Sequence, residues 1–228
     1  MTPVTTPAVT TTKVTTTTLE MTRRPASPPR EIDESVRLDR TSTISPEYAR
    51  FLYGLVGGPW RWTERLTWSR AQWLEELSAP GTELLILSEP AGPLGFAQLQ
   101  AQPVQATADQ NASTQVELRY FGLAAHAIGR GLGGALLEHT IHAAWSQAER
   151  FDLAPITRVW VHTCTLDGPA ALGNYQARGF TITNVETSEE EVAEAPLGSW
   201  RSTGGAPDHS PDPARDHSSD DPAVNDAQ

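Results

Sequence analysis

With 228 residues, 38% of them hydrophobic, a single cysteine and a formal charge of -11, the chain can bury one substantial core but not two full domains. One cysteine excludes an internal disulfide framework, no apolar run approaches the ~18 residues of a membrane span, and the Thr/Pro/Val-rich start lacks the apolar core of a signal peptide, so a cytoplasmic protein with no membrane partner is expected. The acidity speaks against nucleic acid but is uneven, since from Glu186 onward eleven Asp/Glu face only Arg201 and Arg215; it belongs to a tail and says little about a substrate.

Residues 1–13 are low-complexity Thr, Pro and Val and read as disordered. Val14 to Met21 is β-branched with tolerable alternation, which predicts a first strand, and the prolines between Arg23 and Arg30 break it. A helix is predicted from Ser45 as cap and Pro46 in the first turn, through Tyr48, Phe51, Leu52, Leu55 and Val56, to a stop at Gly57-Gly58. A second begins with the capping box Ser69-Arg70-Ala71-Gln72 and buries Trp73, Leu74 and Leu77. The segment between them carries Trp60, Trp62 and Trp68. These either wall a pocket for an apolar or aromatic amine, with Glu64 attracting the ammonium group, or fill the space between helices and sheet.

Leu84 to Ser88 and Leu94 to Ala101 predict a hairpin about Pro90-Ala91-Gly92-Pro93, and residues 102–113 a loop. The stretch from Val116 to Leu137 reads as a strand to Leu123, a glycine run from Gly129 to Gly134, and a helix with Leu132, Leu136, Ile141 and Trp145 on one face. Glycines let main-chain N–H groups approach an anion, and the first turn of a helix adds unpaired donors, so a diphosphate-bearing cofactor is expected. Gly129, Gly131 and Gly134 satisfy G-x-G-x-x-G. The dinucleotide reading fails in context, because over a hundred residues precede the strand and Asp167 comes too late for the ribose acid. Ile156 to Leu166 and Thr181 to Thr187 predict two more strands, and the Pro/Asp/Ser/Ala-rich remainder reads as disordered. His139 and His142 lack further ligands, so no metal is expected; Cys164 reads as a small core residue and Asp167 as a helix cap.

The glycine run resembles motif A of the GCN5-related N-acetyltransferases, Arg/Gln-x-x-Gly-x-Gly/Ala. Gly131 and Gly133 stand on its small positions, Ile128 replaces its Arg/Gln, and Arg130 is left to supply positive charge. Ala171 to Phe180 is similar to motif B, with Tyr175 four residues before Gly179-Phe180 and Gly168 where an Asn is often found. The resemblance covers roughly Val14 to Glu186. It implies an α+β fold with a mixed central sheet of about six strands flanked by four helices, as a domain over 14–187 followed by an acidic disordered tail over 188–228. It implies acetyl-CoA as acyl donor, held around Leu123, Gly129, Arg130, Gly131, Leu132, Gly133 and Gly134, and a small-molecule or peptide amine as acceptor, with a homodimer left open. Tyr175 is then the acid at the thiol, or else a core tyrosine. Glu117, eleven residues before Ile128, is the base, or else a strand carboxylate paired with Arg119; His126 or a bound water would replace it. The alternative function is an acyl-CoA-binding sensor that does no chemistry.

Overall fold

The computed structural model describes residues 9–108 and 110–204. In chain order the elements are β1 (Val9–Met21), β2 (Arg37–Thr41), α1 (Pro46–Gly57), α2 (Arg70–Ser78), β3 (Glu83–Glu89), β4 (Gly92–Val104), β5 (Ser113–Leu123), α3 (Leu132–Trp145), β6 (Ile156–Cys164), α4 (Ala171–Gln176), β7 (Thr181–Ala193) and α5 (Gly198–Ser202). The strands form one sheet in the order β2-β3-β4-β5-β6-β1-β7. All neighbours are antiparallel except β5 and β6, which are parallel and joined by α3 as a crossover. No described helix is long and apolar enough to cross a membrane.

Alternation along β3 shows how the layers are built. Leu84 and Ile86 join Leu52, Val56, Trp73 and Phe96 under α1 and α2, while Leu85 and Leu87 join Leu94, Leu99, Leu136 and Ile141 under α3. Both faces are thus covered, and successive side chains of one strand belong to different cores. The predicted caps form: the Ser45 hydroxyl accepts from Tyr48 N–H at 3.2 Å. At α2 the Ser69 N–H donates to Gln72 Oε1 at 2.9 Å while the Gln72 N–H donates to the Ser69 hydroxyl, a reciprocal box that satisfies donors the helix cannot.

Several expectations are corrected. The sheet has seven strands, not six. The added one, β2, holds Arg37, Asp39 and Arg40 in five residues and gives little apolar signal because it is an edge strand. Strand β1 starts at Val9 rather than Val14, and β7 runs on to Ala193 rather than Thr187, because the two pair along this length from Val9 opposite Ala193. The Thr-rich composition that suggested disorder is β-branched and extends readily once a partner lies beside it. Residues 102–104 and 113 likewise belong to β4 and β5. A fifth helix, α5, lies in the stretch assigned to the disordered tail and docks on α1: a Cβ at Gly54 would stand 2.6 Å from the Ser202 carbonyl oxygen, and the Ser199 hydroxyl donates to the Leu55 carbonyl at 2.7 Å. Leu74 is 46% exposed instead of buried, since it lies beside Trp73 on a different helix face. The disorder expected over residues 1–8 and 205–228 falls outside the described residues.

Candidate active site

The site follows from a failure of pairing. Strands β5 and β6 are partners only over Thr114–Glu117 and Ile156–Trp160, after which β5 continues to Leu123 and β6 to Cys164 without meeting. Against β4, Tyr120 faces Gln98 and Leu118 faces Leu99, so Arg119 is an extra residue with no opposite number. Such a bulge bends a strand and increases its twist. A cleft of about 710 Å³ opens where the strands diverge, bordered by Leu118 to Leu123 of β5, Val161 and His162 of β6, Gly133 of α3 and Tyr175 of α4.

At one end of the cleft the glycine run turns into α3. Gly129 (φ 85°) and Gly131 (φ 76°) are left-handed, and a Cβ on either would meet nothing within 4 Å. Gly131 is the N-cap of α3 and brings no capping side chain, so the first-turn N–H groups that begin at Leu132 and Gly133 lack helical partners at the positive end of the helix dipole. Gly134 does not share this open surface. The Arg178 guanidinium lies over it, with its Nε donating to the Gly134 carbonyl at 3.2 Å. Arg130, expected to bring charge to this cradle, instead makes a two-pronged ion pair with Glu89 of β3 (3.2 and 2.8 Å), which holds the Glu89 carboxyl below its usual range.

Tyr175 of α4 borders the cleft and is 5% exposed. Its ring packs on Phe121 (6.0 Å) and Phe180 (5.9 Å), and burial, with Asp167 adding to it, pushes its phenol above the ordinary value. Glu117 is nearer the paired end. Its side chain is 3% exposed and does not border the cleft; Oε2 accepts from Gln102 Nε2 (3.0 Å) and Arg119 Nη1 (3.4 Å). The pairing with Arg119 is therefore present, although Arg119 is held chiefly by Glu76 (2.5 and 3.1 Å). His126 is exposed on a 3-10 turn and does not border the cleft. Asp167 does not cap α4: its Oδ2 accepts from the Thr163 hydroxyl (2.7 Å) and Cys164 N–H (3.0 Å) and so closes the turn after β6. Burial pushes the Cys164 thiol up, away from the thiolate a nucleophile needs.

No protein-family model matches the chain, and no curated protein matches it. Among solved structures it is similar to an aminoglycoside acetyltransferase from an uncultured soil metagenomic sample (13% identity, TM-score 0.50, 65% of this chain and 90% of that one). It is also similar to a tandem GNAT protein from the clavulanic acid biosynthesis pathway (15% identity, TM-score 0.50, 78% and 53%). A third is a GCN5-related N-acetyltransferase from Sphaerobacter thermophilus (14% identity, TM-score 0.49, 77% and 51%). The chain spans about half the length of the last two. Its fold is that of the GCN5-related N-acetyltransferases.

Within this fold the tryptophan segment divides between the cleft wall and the core. Trp62 borders the cleft, its ring 5.4 Å from Tyr53 and 5.7 Å from Tyr120. Trp68 instead packs on Trp73 (5.6 Å) beneath the Arg65 guanidinium. Trp60 reaches across to the loop before α4, where a Cβ on Gly168 would stand 3.2 Å from its ring. That contact accounts for Gly168 in motif B, since any larger residue would push the indole aside. Ile128, at the first motif A position, is 52% exposed. Sequence reasoning missed Tyr53, Tyr120 and His162, all on the cleft wall. Each is a single aromatic or imidazole side chain within an otherwise ordinary helix or strand, which cannot show what lies opposite.

Proposed function

We propose that the protein is an N-acetyltransferase that moves acetyl from acetyl-CoA to a primary amine by direct transfer in a ternary complex. One observation carries this reading: Ile128 and Gly133, which flank the uncapped glycine turn, and Tyr175 border a single cleft between splayed strands. The cradle fits a diphosphate, since Gly129 and Gly131 present main chain with nothing above it and the first turn of α3 supplies unpaired donors. When bound, acetyl-CoA would supply the activated acyl group. Leu123, Gly131, Leu132 and Gly133 would hold it through main chain, and Gly134 would support them from below under Arg178. The acetyl carbonyl oxygen, which gains charge in the transition state, needs a donor in place beforehand; at the end of β5 the Ala124 N–H is taken by the Leu94 carbonyl at 2.9 Å, so the Leu123 N–H is assigned that role. Tyr175 donates a hydrogen bond to the departing sulfur and does not have to surrender its proton, because a phenol is a weaker acid than the thiol it faces, and burial raises its ionisation further.

The opposite wall, Tyr53, Trp62 and Tyr120, suits an acceptor with an apolar or aromatic body. The aminoglycoside acetyltransferase among the similar structures makes polycationic amines the contrasting class to test. Thiol release from acetyl-CoA should appear with at least one amine of a panel spanning arylalkylamines, polyamines, aminoglycosides and amino acids, and acetyl-CoA alone should raise the melting temperature. Absence of both defeats the proposal. A second reading, an acyl-CoA sensor without chemistry, is favoured by Ile128, which brings no charge to the cradle, and by Arg130, whose charge is taken up by Glu89; thermal stabilisation without thiol release from any amine would select it.

A further inference from the structure

An amine is a nucleophile only when neutral, and the proton it gives up needs an acceptor that touches it. Glu117 does not touch the cleft: it is 3% exposed behind the wall. Its two oxygens have different surroundings. Oε2 takes both the Gln102 and the Arg119 hydrogen bonds, whereas Oε1 faces His162 Nδ1 at 3.6 Å, an ion-pair distance rather than a hydrogen bond. Arg119 does not compete for Oε1, because Glu76 holds its Nε and Nη2. His162 stands on β6 just past the last residue paired with β5, borders the cleft, and its side chain is 50% exposed. A buried carboxylate beside Nδ1 favours the proton on that nitrogen and the positive charge the ring gains, which leaves Nε2 as the acceptor.

We propose that His162 is the proton acceptor of the reaction and that Glu117 is its positioning residue, an assignment that rests on the transferase reading above. The substrate ammonium gives one proton to His162 Nε2 and becomes a neutral amine. The nitrogen lone pair then forms the C–N bond to the acetyl carbon, the C–S bond breaks with its electron pair leaving on the sulfur of CoA, and a second N–H proton ends on that sulfur. The proton on His162 passes to solvent through its exposed edge. The sum is ammonium plus thioester giving amide, thiol and one proton.

The test uses the full chain, acetyl-CoA and the panel amine that gives the fastest thiol release. His162→Gln should lower kcat about a hundredfold, within the range for loss of a general base, and leave the KM for acetyl-CoA and the melting temperature unchanged. In His162→Gly, added imidazole should restore turnover about tenfold, a rescue that a structural role would not show. Glu117→Gln should lower kcat but not raise KM, and the double variant His162→Gln, Glu117→Gln should be little slower than His162→Gln alone, because residues that act as a unit are not additive. Undiminished turnover in His162→Gln, failure of imidazole to rescue His162→Gly, or fully additive losses would overturn the assignment while the transferase reading stood. No thiol release by the unsubstituted protein with any amine would overturn both.

Discussion

Tyr175 is a neutral phenol at physiological pH, as any tyrosine with an ordinary value of about 10 is, and burial moves its ionisation still further away. A phenol whose ionisation is pushed up by desolvation remains a hydrogen-bond donor throughout the physiological range. Tyr175→Phe keeps the ring contacts to Phe121 and Phe180 and removes only the donor, so turnover should fall about tenfold or more with little change in acetyl-CoA affinity. Steady-state kinetics beside a cofactor titration would check this, and unchanged turnover would remove Tyr175 from the chemistry. Residue identity alone pointed to Tyr175, whose motif is short and local. His162 was invisible because its meaning comes from Glu117, 45 positions earlier in the sequence and reached only through the β5 and β6 pairing. Arg130 misled for the same reason: the charge was legible, but Glu89 on a distant strand had claimed it.

The elements divide in a similar way. The capping box of α2 was readable because Ser69 and Gln72 satisfy each other within a single turn, whereas the true reach of β1 and β7 depended on each strand finding the other. The glycine turn before α3 was readable from its composition, and its proposed role as an anion cradle has a direct test. Gly131→Asp would force a side chain into a left-handed conformation and put a negative charge at the helix N-terminus, so the thermal stabilisation by acetyl-CoA should be lost. Stabilisation as large as in the unsubstituted protein would show that the diphosphate lies elsewhere. At α1 the usual rule should invert. Gly→Ala within a helix ordinarily stabilises by about 1 kcal/mol, yet a Cβ at Gly54 meets the Ser202 carbonyl of α5. Gly54→Ala should therefore lower the melting temperature and open the segment after Ala193 to limited proteolysis.

At the scale of the whole molecule, two cores share one sheet, and the cleft runs between β5, which contributes to both, and β6, which contributes to one. The phenols of Tyr53 and Tyr175 stand above their ordinary values, in each case mainly through burial. Their stabilising effect is complete below the unfolded phenol value of about 10 and declines as pH rises from there toward the raised folded values, because the unfolded chain then releases protons the native state retains. Denaturant midpoints should thus fall steadily above about pH 10, and Tyr53→Phe should flatten the decline. The mixed α+β architecture was legible from element order, since hairpin strands followed by strand-helix-strand crossovers admit few other sheets. The seventh strand was not, because Arg37–Thr41 shows no period that separates it from a charged loop.

Strand β7 is the rim of the sheet, and among the described residues nothing pairs with its outer side. From Thr181 to Glu191 it is exposed along its length, a row of main-chain donors and acceptors of the kind that invites another molecule to add a strand. Glu186, Glu189, Glu190 and Glu191 lie on that rim, so two copies approaching edge to edge would bring like charges together. The acidity that carried no information about a substrate would thus oppose edge-to-edge pairing of two copies. Replacing Glu186, Glu189 and Glu191, none of which borders the cleft, with Gln should leave the proposed acyl transfer intact and shift the chain toward dimers or larger species in sedimentation experiments, and a triple variant that stayed as monodisperse as the parent would assign the glutamates some other purpose.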